Sequence, residues 1–226
     1  MATILENVQG VKARIAHAAR AAGRDPESVT LLAVSKTHAV ARLAEAQAAG
    51  LHAFGENYVQ EALRKMQSLS AGVEWHLIGA LQSNKSRLAA ERFDWVQTVD
   101  RVRIANRLSE QRPAHLPPLN VLIEVNISGE ANKSGVAVKE VTGLGAAIAR
   151  LPRLRLRGLM AIPSPGATGD FVKMRQLYDN LRAQFGFDTL SMGMSDDMEQ
   201  AIAAGATMVR IGTAIFGARK PEETTA

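Results

Sequence analysis

The chain has 226 residues, a length at which an α/β barrel still forms one domain. It contains no cysteine, which excludes disulfides, thiolate metal sites and a cysteine nucleophile and fits a reducing cytoplasm. A net charge of +5 with 22% charged residues suits an anionic ligand such as a phosphate, and by itself does not separate that from weak nucleic-acid binding.

In chain order, residues 1–20 lack a continuous apolar stretch and read as an amphipathic helix, and no later run is long enough to span a bilayer. A β-branched apolar run, Val29–Val34, precedes an Ala-rich helical pattern from about His38 to Ala49. The same unit recurs as Leu51–Phe54 with a helix after Asn57, Trp75–Gly79 with a helix after Ser83, and Trp95–Val99 with a helix after Arg101. The second half adds the strands Asn120–Asn126, Leu156–Ile162, Thr189–Gly193 and Met208–Ile211, with helices near 138–150, 170–185 and 196–204. Residues 218–226 read as a flexible tail to a single domain spanning 1–226.

Eight apolar runs with little alternation, separated by helices, predict a parallel sheet covered on both faces. Eight such units predict an α/β, single-domain (β/α)8 TIM barrel with an extra N-terminal helix. An open doubly wound sheet is the alternative, although no GxGxxG follows the first strand. The basic stretch from Arg150 to Arg157 alternates Arg with Leu, as a strand entrance with one wet face does.

In a barrel the chemistry gathers where strands end. Lys36 directly follows the first strand, a flexible amine beside apolar neighbours suited to imine chemistry, although such a lysine is more often a solvated charge. Asn57 either caps the next helix or faces a ligand, Ser83 has the look of a cap, and Gly79 lets backbone approach a bound ring. Near the C-terminus, the segment Ser191–Asp197 opens a helix whose first amides suit an anion, with the Ser195 hydroxyl at its start. Gly212, after the last strand, permits backbone N–H groups to meet a phosphate, and Thr213 follows it. The bland alternative for this pair is a helix cap and a packing glycine.

The segments Ala33–Thr37, Phe54–Asn57, His76–Gly79, Leu81–Lys85, Lys133–Gly135, Gly158–Met160, Ser191–Asp197 and Arg210–Gly217 together resemble the pyridoxal 5′-phosphate (PLP) homeostasis protein family, whose barrel is similar to the N-terminal domain of alanine racemases. The resemblance covers nearly the whole chain. It departs after the lysine, where Thr37-His38-Ala39 replaces the family's Thr-basic-Pro tendency.

The resemblance implies that Lys36 forms the Schiff base with PLP, that Ser195, Gly212 and Thr213 bind its phosphate, and that Arg210 faces the pyridine nitrogen. A permanent cation there disfavours protonation of the ring and weakens the electron sink. It further implies that Asn57, Gly79, Met160 and Ser191 contact or wall the ring. Racemisation would need an acid or base opposite Lys36, which alanine racemases take from a second domain of the partner subunit. Here the chain ends soon after Gly217, so that domain is expected to be absent. Of the two tyrosines, Tyr58 follows a strand and Tyr178 lies in a helical pattern.

The implied function is intracellular PLP homeostasis, holding the cofactor and delivering it to PLP-dependent apoenzymes. An amino-acid racemase with Tyr58 or water opposite Lys36 is the alternative, and a nucleic-acid or interaction module has thin support. The five histidines at 17, 38, 52, 76 and 115 show no ligand spacing, so no metal is expected. A cytoplasmic monomer without membrane or nucleic-acid partners completes the expectation.

Overall fold

A computed structural model describes residues 2–69, 71–164 and 166–217; the expected tail at 218–226 lies outside them. The first helix, α1 (Ile4–Ala21), begins in a capping box in which Thr3 and Glu6 satisfy each other's backbone N–H groups. Its buried stripe of Ile4, Val8, Val11, Ile15 and Ala18 follows the helical repeat.

Eight parallel strands follow in sequence order and close on themselves: β1 (Thr30–Val34), β2 (Ala53–Glu56), β3 (Glu74–Leu77), β4 (Trp95–Val99), β5 (Leu119–Glu124), β6 (Leu154–Met160), β7 (Thr189–Ser191) and β8 (Met208–Ile211). Closure comes from β1 pairing with β8, in register from Thr30 with Met208 to Ala33 with Ile211. The connecting helices are α2 (Val40–Ala48), α3 (Val59–Met66), α4 (Ser86–Arg92), α5 (Val102–Gln111), α6 (Val141–Ile148), α7 (Thr168–Phe185) and α8 (Met198–Ala203), and a last short turn, α9 (Thr213–Phe216), follows β8. The barrel, not the open sheet, is the architecture.

Side chains alternate along each strand between the helix layer and the barrel interior. Phe54, Leu77, Val96, Val121, Leu159 and Ile211 join the large outer core beneath the helices. Two smaller clusters fill the inside, Leu32 with Ile78 and Met208, and Trp95 with Leu122 and Met160. The strand entrance at Leu154 keeps Arg155 exposed beside a buried Leu154, the single wet face that the Arg/Leu alternation predicts.

Element ends are where the sequence reading shifts. The second strand starts at Ala53 and not Leu51, and the seventh stops at Ser191, before Gly193. Gly193 has φ +94°, and a Cβ there would lie 2.5 Å from the Ala201 Cβ. A left-handed residue in that contact ends the extended run. The second helix starts at Val40 and not His38, because Thr37 has φ +65° and Ala39 is extended. Among the described residues no helix is long and apolar enough to cross a membrane, and no group of His, Asp or Glu is arranged to hold a metal ion.

Candidate functional site

At the C-terminal ends of the strands a cavity of ≈ 220 Å³ is lined by Val34, Lys36, His38, Asn57, Ile78, Ile162, Met194, Ser195, Asp196, Arg210, Gly212, Thr213 and Gly217. Lys36, Asn57, Ser195, Arg210, Gly212 and Thr213 are therefore brought together from β1, β2, β7 and β8 and the segments that follow them.

Lys36 is held in place from both sides. Behind it, the ammonium of Lys65 on α3 donates to the Ser35 carbonyl at 2.7 Å, to Glu56 Oε1 at 2.7 Å and to Glu61 Oε1 at 2.6 Å. Those three bonds use all of its donors. Ser35 Oγ donates to Glu56 Oε1 at 2.5 Å, and the Thr37 amide donates to Glu61 Oε1 at 2.5 Å. The peptide units flanking Lys36 are thus tied to one buried ion cluster, which holds Thr37 in its left-handed conformation. Burial pushes the Glu56 carboxyl above its ordinary range, against the pull of Lys65 and Ser35. Glu61 and Lys65 stand four apart on α3, the one trace of the cluster visible in sequence.

The anion cradle differs in one respect from expectation. Ser195 does not start α8. It lies in a turn ahead of that helix, whose N-terminal flank is Asp197, and Asp197 Oδ1 accepts from the Met194 amide at 2.6 Å. That carboxylate at the entrance of α8 opposes a second anion there. Ser195 instead accepts from the Ala214 amide of α9 at 3.3 Å, which joins the loops after β7 and β8 into one rim. Gly212 and Thr213 open α9 at the cavity; within that turn the Ile215 and Phe216 amides already donate to the Gly212 carbonyl at 2.9 Å, so the rim depends on the residues at its very start. Asn7 of α1 donates to the Ile215 carbonyl at 2.9 Å and Arg42 of α2 to the Phe216 carbonyl at 2.7 Å, so both helices brace this turn.

Arg210 enters the cavity from below, almost wholly buried. Its Nη1 donates to Ser191 Oγ at 2.9 Å and its Nη2 to the Ala161 carbonyl at 2.9 Å, which uses two of its five donors. Burial lowers its pKa to about 10, with Glu124 and Asp197 opposing that shift, so the guanidinium is a cation at neutral pH.

The remaining expected residues divide between the cavity and its surroundings. Asn57 lines the cavity and is not the cap of α3, whose N-terminal flank is Tyr58 without a side-chain bond. Gly79 is set against the Asn57 backbone, where a Cβ would sit 2.3 Å from the Asn57 carbonyl oxygen, and lines a neighbouring cleft with Tyr58. The close passage of the Asn57 backbone is by itself enough to require that glycine. Met160 is buried beneath the cavity against Trp95 and Leu122, and Ser191 reaches it only through Arg210. Ser83 begins a 3₁₀ turn and not a helix. Reading the sequence alone passed over His38, which stacks on Phe216 with centroids 4.8 Å apart, and the apolar walls Val34, Ile78 and Ile162.

Glu124, at the end of β5, is nearly buried; desolvation chiefly, and Asp100 next, push its pKa up to about 7 against the attraction of Arg210. The folded state therefore holds this proton more tightly than the unfolded chain, whose carboxyl titrates near 4.5. The stabilisation is full below pH 4.5 and is lost as pH rises to about 7. Unfolding in urea at the two ends of that window is expected to show that Glu124→Gln removes on the order of 3 kcal/mol of pH dependence. Equal pH dependence in the variant and the parent would contradict the assignment.

A closed barrel with a lysine at the end of β1, a buried arginine on β8 and a two-loop anion rim is of the alanine racemase N-terminal domain type; residues 7–220 match the family model described as "Alanine racemase, N-terminal domain". The "Pyridoxal phosphate homeostasis protein" of Pseudomonas aeruginosa is 59% identical over 225 residues, covering 97% of each chain. The chain belongs to the pyridoxal phosphate homeostasis protein family. PipY of Synechococcus elongatus, solved with PLP bound, has a TM-score of 0.82 at 34% identity and covers 95% of this chain and 100% of its own. Alanine racemase of Corynebacterium glutamicum, at 19% identity and a TM-score of 0.70 over 94% of this chain and 62% of its own, shares the fold alone.

Proposed function

We propose that this chain binds PLP in the cavity at the barrel mouth and serves intracellular PLP homeostasis. The observation that carries the reading is that Lys36, Arg210 and the Ser195–Gly212–Thr213 rim line one small cavity. The donor set fits the group. The rim suits a phosphate, the apolar Val34, Ile78 and Ile162 suit a flat ring, and Arg210 has donors beyond its two protein bonds for a ring nitrogen acceptor. PLP supplies an aldehyde that amines capture reversibly.

Lys36 is the residue whose amine would hold the cofactor's aldehyde in a bond that water or a competing amine could reverse. The ion cluster behind Lys36 fixes the backbone on either side of it. Arg210 holds a positive charge at its guanidinium through neutral pH, which opposes a second positive charge on the ring nitrogen. The cavity walls exclude part of the solvent and slow exchange. These properties favour holding the cofactor over activating a substrate, and delivery to PLP-dependent apoenzymes follows as the use of a reversible bond. The reading places the protein in the cytoplasm as a monomer.

The racemase reading requires an acid or base at the face opposite Lys36. Tyr178 is buried in α7 beside Phe187, and Tyr58 is 63% exposed and lines the neighbouring cleft, so neither is among the cavity-lining residues. To separate the two, PLP-loaded protein is incubated with single enantiomers of amino acids in deuterated water and then with a PLP-dependent apoenzyme. Reactivation of the apoenzyme without Cα deuterium incorporation is expected. Cα exchange that disappears in Lys36→Ala would overturn the carrier reading in favour of catalysis.

A further inference from the structure

Below Arg210 the barrel interior contains an unbroken chain of hydrogen bonds between polar side chains. Arg210 Nη1 donates to Ser191 Oγ at 2.9 Å, Ser191 Oγ donates to Gln97 Oε1 at 2.7 Å, Gln97 Nε2 meets His76 Nδ1 at 2.9 Å, and His76 Nε2 meets Glu74 Oε1 at 2.8 Å. Ser191, Gln97 and His76 are each fully buried, while Glu74 stands half-exposed at the opposite end of the barrel. There it lines a separate cleft of ≈ 240 Å³ with Trp95, Arg157 and Asp188. The chain thus connects the cavity at the mouth to the floor.

Its direction is fixed by its ends. A guanidinium only donates and a carboxylate only accepts. Between them, a serine, an amide and a neutral imidazole have one arrangement in which every link joins a donor to an acceptor. That arrangement puts the His76 proton on Nε2, turns the Gln97 amide nitrogen toward Nδ1, and points the Ser191 hydroxyl at Oε1. A further contact agrees with it, because Gln97 Nε2 also donates to Met208 Sδ at 3.1 Å, which would oppose a carbonyl oxygen if the amide were turned. Burial disfavours the charged form of His76, and its ring is stacked on Trp95 with centroids 5.1 Å apart at 10°. Arg157 covers the same Trp95 ring at 4.8 Å.

We infer that Glu74, His76, Gln97 and Ser191 are positioning residues for Arg210, a directional chain that holds its guanidinium at the cofactor ring and sets the hydrogen-bond strength it has left to give. Links of one polarity reinforce each other in a low-dielectric interior. Nothing else about an apolar barrel interior requires four polar side chains in series, and an incomplete chain would leave buried groups unsatisfied. This inference rests on the reading that the cavity takes PLP.

Two measurements test it. Nitrogen-15 NMR of the cofactor-free protein is expected to show His76 neutral with the proton on Nε2. Titration with PLP is expected to show, for Ser191→Ala and Gln97→Leu, a displaced visible absorption band and about tenfold weaker binding, the scale of one lost hydrogen bond to a charged group. Glu74→Gln, which keeps an acceptor but removes the charge at the exposed end, is expected to move the band in the same direction by less. Thr189→Val, a buried change on the strand of Ser191 outside the chain, is expected to leave band and affinity at the parent values. A His76 proton on Nδ1, or parental bands in all three chain variants, would overturn the inference. If one buried variant fails to fold, the exposed Glu74→Gln and the NMR result still decide. Failure of the parent to bind PLP would sink the cofactor reading, while the tautomer of His76 would judge the chain separately.

Discussion

Lys65→Met is expected to lower the free energy of unfolding by about 3–5 kcal/mol, the cost of stripping one partner from a buried ion pair. The Lys65 side chain is 5% exposed and the Glu56 side chain 0%, so the carboxylate left behind has little water to turn to. The loss reaches beyond one pair, because the same ammonium holds the Ser35 carbonyl and Glu61, and Glu61 holds the Thr37 amide. Glu56 Oε2 is already buried with no hydrogen-bond partner among the described residues, which deepens the deficit when the cation goes. Urea unfolding reads the effect directly. Adding Glu56→Gln and Glu61→Gln to Lys65→Met is expected to recover part of the stability, since neutral groups cost less to bury than unpaired charges. A change below about 1 kcal/mol for Lys65→Met, within the range of an ordinary surface ion pair, would show that the cluster is not what secures the Lys36 segment.

Lys36→Ala is expected to separate binding from stability. Lys36 is half-buried at a strand end, outside the packed core, so its removal is expected to change unfolding by about 0.5 kcal/mol or less. Cofactor retention responds differently. Without the amine, only the phosphate rim, the apolar walls and Arg210 remain, and PLP is expected to pass off the protein on gel filtration instead of travelling with it. Borohydride is expected to fix no cofactor at the cavity of the variant. Retention equal to that of the parent, with a reducible bond at the cavity, would show that another amine does the work.

The barrel was legible because it repeats. Eight short apolar runs with helical patterns between them have few other ways to bury both sheet faces, and each run from Val29–Val34 to Met208–Ile211 has a strand within or overlapping it. The residues leaving the strands were legible for the same reason, which is why Lys36, Asn57, Ser195, Arg210, Gly212 and Thr213 meet at one cavity. What stayed hidden depends on contacts between distant segments. The role of Gly79 follows from how closely the Asn57 backbone passes, and that of Ser195 from an amide on α9. The α9 turn itself was missed because Ala214-Ile215-Phe216 continues the apolar character of β8 and, at four residues, is too short to show a helical period. The ion cluster around Lys65 joins the segment after β1 to β2 and α3, and the chain from Arg210 to Glu74 joins β8, β7, β4 and β3; beyond the spacing of Glu61 and Lys65 on α3, neither has a pattern along the sequence to read.

The point of attachment of the cofactor is the most direct test of the site. Intact protein loaded with PLP, reduced with borohydride and digested, is to be read by mass spectrometry for phosphopyridoxyl-lysine. One such group is expected, on the peptide containing Lys36, and none at the cavity after Lys36→Ala. A reduced label on any other lysine of the parent protein, with the Lys36 peptide unmodified, would contradict it.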